Sequence, residues 1–148
     1  MRFVIQRVSH ASVTIDGAVN GSIGTGFMVL VGVAGTDDEA IADKMIRKMI
    51  NLRIFEDAEG KTNLALKDVD GALLLVSQFT LYADCKKGNR PSFYKASNPE
   101  LGSRLFDYIT EECKKSVPVV ETGIFGADMK VELLNDGPFT IVLDSETL

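Results

Sequence analysis

The sequence predicts a mixed α/β (α+β) fold in a single domain, residues 1–148. Three observations predict it. Two segments carry apolar residues at helical spacing, many shorter segments alternate or run apolar as strands do, and hairpin signals are mixed with longer crossovers. The chain is 45% hydrophobic, enough for a core, and the apolar faces of the two helices must cover a sheet.

Several strands are predicted before the first helix. FVIQRV, residues 3–8, is typical of a strand, and ASVTID, residues 11–16, alternates apolar with polar side chains. Asp16-Gly17 is a two-residue hairpin signal, so a second hairpin strand is expected at about 18–23. FMVLVGV, residues 27–33, is continuously apolar and indicates a strand buried on both faces.

The first helix is expected over about residues 37–51. Thr36 and Glu39 have the spacing of a capping box, and apolar residues recur behind them at helical intervals. Leu52 to Phe55 predicts a short strand before the polar turn DAEGK. ALLLVSQFTLYA, residues 72–83, is the most apolar segment and predicts a strand over its whole length.

The second helix is expected to begin at Asn98 and Pro99, because proline is tolerated in the first turn. Leu101, Leu105 and Ile109 belong to its buried stripe. VPVVETG, KVELLND and FTIVLD then predict three strands that close the chain. Together the strands are expected to form antiparallel and mixed sheets in a barrel- or roll-like core, with the two main helices packed on it.

The last two strands are separated by NDGPFT, residues 135–140. Proline has no N–H for a sheet and glycine adds backbone freedom, so this stretch breaks a good strand pattern. One interpretation is a tight turn that joins two strands. The other is a rigid backbone wedge, since a cis X-Pro bond, present in about 5–6% of folded cases, usually has a purpose.

The segment SQFTL could carry chemistry. Ser77 and Thr80 supply hydroxyls and Gln78 an amide, either as solvent-facing strand residues or as a site at a strand end, where backbone N–H groups can stabilise an oxyanion. A nucleophilic hydroxyl needs a base. His10 is the one histidine, and nothing in the sequence connects it with Thr80, so a Ser-His-Asp arrangement is poorly supported.

The segment CKKGNRPSFYK, residues 85–95, is the one basic island. Lys86, Lys87 and Arg90 stand beside Phe93 and Tyr94, which suits either a solvated loop or a surface that grips phosphates and stacks a base. The net charge of −5 argues against broad nonspecific binding of nucleic acid.

Composition also limits the location and the cofactors. No run of about 18 apolar residues and no signal-peptide core are present, so we expect a cytoplasmic protein with no membrane segment. Cys85 and Cys113 make no disulfide framework, which fits a reducing compartment. One histidine and two cysteines form no obvious zinc site, and we expect neither a metal nor a cofactor.

Four segments together resemble the D-aminoacyl-tRNA deacylases, formerly called D-tyrosyl-tRNA deacylases. They are SQFTL, the later N-x-G-P-x-T, the opening M-R-x-V-I-Q-R-V-x-x-A-S-V, and G-x-G-x-x-V-L-V-G-V around residues 24–33. The resemblance covers essentially the whole chain. It implies a cytoplasmic homodimer that binds the acceptor end of tRNA and hydrolyses the ester between a D-amino acid and the terminal adenosine. It also implies removal of glycine mischarged on tRNA-Ala.

The resemblance further implies roles for individual residues. The Gly137-Pro138 bond would be cis, and the pair would enter the partner's pocket and exclude L-aminoacyl groups. Phe79 and Thr80 would lie at the scissile ester, with the N–H of Phe79 as oxyanion donor. The remaining residues implied by the resemblance are Ser77 and Gln78 as catalytic-pocket residues, Asn135 and Thr140 beside the wedge, and Phe125 and Met129 as adenine contacts.

The basic residues Lys86, Lys87 and Arg90 are expected to help position the acceptor stem. The resemblance also implies that catalysis depends on the 2′-hydroxyl of the tRNA, while Thr80 as a covalent nucleophile remains a competing explanation. A noncatalytic dimeric tRNA-binding module and a generic esterase stay open as alternatives, since a fold does not determine a function.

Overall fold

The computed structural model describes all 148 residues as two helices packed on a six-stranded sheet, with a small separate hairpin. Two short 3-10 helices occupy Leu66–Val69 and Phe79–Tyr82. The helices are α1 (Glu39–Ile50) and α2 (Pro99–Lys114), and the strands are β1 (Arg2–Ile15), β2 (Ala18–Ile23), β3 (Gly26–Gly32), β4 (Phe55–Glu56), β5 (Thr62–Leu64), β6 (Ala72–Ser77), β7 (Val120–Thr122) and β8 (Met129–Asp144). None of the helices is both long and apolar enough to span a membrane.

The large sheet is mixed and nearly closed. Its strands follow the order β2-β1-β3-β6-β7, with β8 paired to β1. β3, β6 and β7 are parallel, whereas β1 is antiparallel to β2, β3 and β8. The Asn20 side chain donates to the Thr122 carbonyl at 2.7 Å, which ties β2 to β7 across the gap. The predicted barrel-like core with two helices is therefore confirmed.

Both faces of the central strands are buried, which explains their continuous apolar sequence. Leu73 and Leu75 of β6 pack in the cluster that also contains Met45 of α1 and Leu105 of α2. Leu74 and Val76, on the opposite face, belong to a smaller cluster with residues of β1, β2 and β3. Burying one such side chain contributes about 1.5–3 kcal/mol, so the two clusters hold the sheet at the position where the site is built.

The helix starts differ in how well local pattern predicts them. α2 begins as expected, since the Asn98 side chain accepts from the N–H of Leu101 at 2.8 Å. The capping box expected at Thr36 is wrong. Asp38 is the N-cap and accepts from the N–H of Ile41, because the neighbouring Asp37 is turned inward to the Met1 amino group at 2.7 Å.

The strand expected over residues 72–83 ends earlier. β6 stops at Ser77, and the chain turns at Gln78 into the 3-10 helix. The backbone N–H of Gln78 still bonds to the carbonyl of Val31 at 2.8 Å, so the turn remains attached to the end of β3. SQFTL thus forms a bend at a strand end, which brings its polar groups together.

The break at NDGPFT does not join two hairpin strands. Both flanking segments pair with β1, in the registers Gln6 to Thr140 and Val8 to Asn135. Residues 136–139 therefore stand opposite Arg7 alone. The tight-turn interpretation is wrong, and these four residues, the Gly-Pro loop, bulge from a strand that continues on both sides.

Candidate functional site

The Gly-Pro loop is closed at its base by one side chain. The amide of Asn135 donates to the carbonyls of Arg7 and Phe139, both at 3.0 Å. Gly137 and Pro138 at the tip are exposed, and the peptide bond between them is cis, as expected. The loop is therefore a protrusion whose base is fixed by hydrogen bonds.

Arg7 supports the same loop from beneath. Its guanidinium is buried, donates to the carbonyls of Asp136 at 3.0 Å and Ile54 at 2.6 Å, and lies 4.9 Å from the centre of the Phe139 ring. A Cβ on Gly137, whose φ is +126°, would lie only 2.7 Å from Nη2 of Arg7. A side chain at this position would therefore require the guanidinium or the loop to move, in addition to adopting a strained φ.

Arg7 was missed by the sequence analysis, although a signal existed. Phe3, Ile5 and Arg7 share the inward parity of β1, so the pattern places a charged residue where an apolar one is expected. A buried charge needs hydrogen-bonding partners. The carbonyls that satisfy Arg7 come from distant segments, which local pattern cannot identify.

The SQFTL turn, residues 77–81, presents an exposed Phe79 and an exposed Thr80. The Phe79 ring, 55% exposed, contacts Phe93 edge-on at 5.1 Å between centroids. The Thr80 hydroxyl contacts the side-chain amide of Gln78 and has no basic partner. His10 lies on β1 opposite Leu134, with no hydrogen bond to the turn. No residue in this arrangement can activate Thr80 as a nucleophile.

The turn also has free backbone donors. Phe79 and Thr80 are the first residues of the 3-10 helix, so their N–H groups have no acceptor within it. Neither N–H bonds to a side chain or to a loop carbonyl. Adjacent free N–H groups at an exposed turn are suited to an oxygen that gains negative charge.

Arg2 holds this turn in place. Its Nη1 donates to the carbonyl of Leu81 at 2.7 Å, its guanidinium lies 5.0 Å from the centre of the Tyr82 ring, and Nη2 pairs with Asp144 at 2.7 Å. Burial raises the pKa of Asp144, but hydrogen bonds from the Glu146 N–H and from Arg2 outweigh it, so the pKa is lowered. Burial raises the pKa of Tyr82 well above its ordinary range, which keeps that hydroxyl neutral.

Two adjoining clefts open beside the turn. The larger cleft, about 410 Å³, lies between the SQFTL turn and α2, and the smaller cleft, about 290 Å³, extends to Met129 at the start of β8. Phe125 lines both clefts, whereas Thr80 and Thr140 line neither. A volume of this size between aromatic rings suits a planar base. The residues shared by both clefts are Ser77, Gln78, Phe79, Phe125 and Gly126.

Gly102 is a second position that sequence analysis missed. A Cβ there would lie 2.8 Å from Oγ of Ser97 and 3.0 Å from the Phe125 ring. Phe125 can lie against α2 only because this helical residue has no side chain. The signal was a glycine within a strongly predicted helix, which usually has a packing reason.

The basic residues lie beside the clefts on a separate arm. Asp84 and Ser92 exchange backbone hydrogen bonds of 2.7 and 2.9 Å, which close the loop between them. Lys86, Lys87 and Arg90 line their own pocket of about 300 Å³ together with Tyr94. They therefore do not reach into the clefts and carry no catalytic group there.

An apolar row crosses the outer face of the sheet near the Gly-Pro loop. Val4 on β1 stands opposite Leu30 of β3 and opposite Val142 of β8. Val142 is 59% exposed, and Leu134, farther along β8, is 53% exposed. Val4 and Leu30 are half-buried, so the exposed apolar area of the row comes from Val142, which makes this part of the sheet a candidate contact surface.

Comparisons with known proteins give a consistent family. The sequence matches the family described as D-Tyr-tRNA(Tyr) deacylase over residues 4–144. A protein of Lactobacillus acidophilus (strain ATCC 700396 / NCK56 / N2 / NCFM), described as D-aminoacyl-tRNA deacylase, is 58% identical over 144 residues, which is 97% of this chain and 99% of that protein.

Two solved structures have the same architecture. One, described as c-Myc DNA Unwinding Element Binding Protein, has a TM-score of 0.92 at 39% identity and covers 97% of this chain and 98% of its own. The other, described as a probable eukaryotic D-amino acid tRNA deacylase, has a TM-score of 0.79 at 18% identity and covers 96% and 97%. At 18% identity the second likeness concerns the fold alone.

Proposed function

The chain belongs to the D-Tyr-tRNA(Tyr) deacylase family and is a hydrolase of the ester bond in D-aminoacyl-tRNA, and from this premise we propose that its chiral selection is made by the Gly-Pro loop of a second subunit. The observation that carries the proposal is that the Gly-Pro loop and the two clefts are separate in a single chain. No residue of 135–140 lines either cleft of the same chain, although the loop is rigidly supported.

A homodimer brings the two parts together. The apolar row of Val4, Leu30 and Val142 supplies a surface for a second copy, close in the sheet to the loop. The Gly-Pro loop of one subunit then enters the cleft of its partner. The resemblance supports the same arrangement, and with it a single domain of residues 1–148 that acts in the cytoplasm.

Exclusion by backbone atoms accounts for the selectivity. A loop held by Arg7 and Asn135 cannot swing aside, so an L side chain that points toward it collides, while a D side chain points away. A glycyl group has only a hydrogen in place of the side chain and therefore does not collide with the loop. We therefore propose that glycyl-tRNA mischarged on tRNA-Ala is also a substrate.

The chemistry is proposed to use the RNA. Thr80 has no base, whereas the 2′-hydroxyl of the terminal ribose adjoins the ester in every substrate. The free N–H groups of Phe79 and Thr80 would stabilise the oxyanion, with Ser77 and Gln78 shaping the pocket. Phe125 and Met129 would hold the adenine. The competing explanation, Thr80 as a covalent nucleophile, requires a base that the turn does not provide.

The experiment compares deacylation of D-tyrosyl-tRNA, L-tyrosyl-tRNA and glycyl-tRNA-Ala by the wild type and by Gly137→Ala. An L residue is strained at the φ of +126°, and the new methyl group would meet Nη2 of Arg7, so the loop or its support has to move and the preference for D over L is expected to fall at least about tenfold, equivalent to about 1.4 kcal/mol. Gly24→Ala is the matched control, because its Cβ would meet nothing within 4 Å.

Sedimentation of wild type and both variants accompanies the assay. We expect twice the 16.1 kDa chain mass for the wild type. A dimeric Gly137→Ala variant that keeps the full D over L preference would contradict the wedge, and a fully active wild-type monomer would contradict the cross-subunit site. Equal hydrolysis of a simple aryl ester would indicate a generic esterase.

A further inference from the structure

Four cations without a carboxylate partner lie in one short segment, the basic arm, residues 84–95. Lys86, Lys87, Arg90 and Lys95 take part in none of the ion pairs of the molecule. The protein carries a net charge of −5, so this local positive field opposes the overall charge. Such a field attracts a polyanion to this segment of a protein whose net charge is negative.

The basic arm has a defined shape. The paired backbone bonds between Asp84 and Ser92 close its base, and Asp84 also accepts from the N–H of Lys86 at 2.9 Å. This carboxylate is the one negative group in the cationic pocket formed by Lys86, Lys87, Arg90, Ser92 and Tyr94. None of the three cations lies within ion-pair distance of this carboxylate, so they stay available for a ligand.

The cationic pocket and the larger cleft share a wall. Phe93 lines the larger cleft and packs against Phe79, while the next residue, Tyr94, is 68% exposed and lines the cationic pocket. Consecutive Cα atoms are about 3.8 Å apart, so the two sites adjoin across one stretch of backbone. A strand with its terminal base in the cleft reaches the cationic pocket with its next phosphates.

We propose that the basic arm binds the backbone phosphates immediately preceding the terminal adenosine, in the single-stranded 3′ end of the substrate, and that Tyr94 stacks on a base there. The proposal rests on the proposed use of the clefts for the aminoacyl-adenosine. It places the basic residues at the 3′ end, whereas the sequence analysis expected them at the acceptor stem. Phosphate contacts of this kind supply affinity that falls with salt, while stacking tolerates any base.

The test measures binding of three nonhydrolysable analogues in which an amide replaces the ester. They are D-tyrosylamino-adenosine without phosphate, the same group on a CCA trinucleotide, and the same group on full-length tRNA. The variant is Lys86→Gln/Lys87→Gln/Arg90→Gln. The matched control is Arg47→Gln/Lys48→Gln/Lys67→Gln, which removes three other unpaired surface cations and changes the net charge equally.

The wild type is expected to bind the trinucleotide about tenfold more tightly than the adenosine analogue at low salt, and the arm variant should lose this increment. For single strands the slope of log K against log salt is about −0.7 per phosphate contact, and the CCA trinucleotide has two internucleotide phosphates, so losing both contacts changes the slope by about 1.4. The roughly tenfold advantage of wild type over arm variant should therefore shrink about sevenfold between 50 and 200 mM salt. The control should keep the wild-type slope.

Each other outcome overturns the proposal. A loss that appears only with full-length tRNA would place the contact at the stem, and equal losses in both variants would indicate a general charge effect. An unchanged slope would leave the arm a solvated loop. The proposed function has a separate test. It fails if the wild type binds D-tyrosylamino-adenosine no more tightly than the matching L-tyrosylamino-adenosine, since neither compound contains a phosphate.

Discussion

Replacing Arg7 by methionine tests whether the Gly-Pro loop needs its buried support. Methionine has a similar length and no charge, so the change removes the hydrogen bonds and leaves most of the packing in place. The carbonyls of Asp136 and Ile54 lose the donors that reach them at 3.0 and 2.6 Å. The Phe139 ring loses the cation that lies 4.9 Å from its centre.

The expected cost follows from these contacts. A hydrogen bond from a charged donor contributes about 1.5–3 kcal/mol net, and a cation–π contact about 0.5–2 kcal/mol. Against this stands the cost of burying the guanidinium, which the variant no longer bears. We expect Arg7→Met to lower the free energy of unfolding by on the order of 2–4 kcal/mol. Arg7→Lys keeps the charge but lacks the planar guanidinium that reaches two carbonyls. Its free energy of unfolding should therefore lie between those of the wild type and Arg7→Met.

Urea denaturation gives the stability, and deacylation of matched D- and L-tyrosyl-tRNA gives the selectivity. The D over L preference should fall with the stability, because the loop above the vacated site is no longer held. Arg104→Met is the control, since its ion pair with Glu39 is exposed and should contribute less than about 1 kcal/mol. An Arg7→Met dimer that is less stable but equally selective would refute the reasoning.

Three other changes have defined outcomes. Thr80→Ala should keep kcat within about tenfold of wild type, while a 2′-deoxy terminal ribose should lower it by several orders of magnitude; a trapped covalent adduct on Thr80 would contradict this. Asp144→Asn should lower the free energy of unfolding at pH 7. The lowered pKa of Asp144 gives the fold a stability that is complete above the ordinary value of 3.8 and is lost as the pH falls through the folded-state pKa. The free energies of unfolding of wild type and variant should therefore converge in acid, and a difference that stays constant with pH would contradict this. Cys85 is exposed and should react with a thiol reagent at neutral pH, whereas burial raises the pKa of Cys113 to about 12 and should protect it until the protein unfolds; rapid modification of both in the native state would be the contrary result.

Local pattern was sufficient where the deciding interactions lie within a few residues. Asn98 caps α2 through the N–H three residues ahead, and Pro99 fits the first turn, so both could be recognised in the sequence. The continuous apolar run FMVLVGV predicted a strand buried on both faces, and β3 is such a strand, since Phe27 and Val29 lie in the larger core cluster and Met28 in the smaller one. The resemblance, carried by SQFTL and N-x-G-P-x-T, added the family, which the comparisons confirm.

Local pattern failed where a distant partner competes. Thr36 has the spacing of a cap, but Asp37 is drawn inward by Met1, and the helix begins at the next acidic residue instead. Likewise, the apolar run through residues 72–83 could not show that the strand ends at Ser77, because the end of β6 depends on its pairing with the neighbouring strand β3.

The sequence by itself determined that the strand pattern is interrupted at Gly137 and Pro138, since backbone freedom and a missing N–H are properties of the residues. Only the tertiary structure decided what the interruption is. Both halves of β8 pair with β1, so the four residues opposite Arg7 must bulge rather than turn the chain back. The cause is physical, because the partners of Arg7 are distant in sequence. Asp136 is 129 residues away and Ile54 is 47 residues away, and no local preference specifies such contacts.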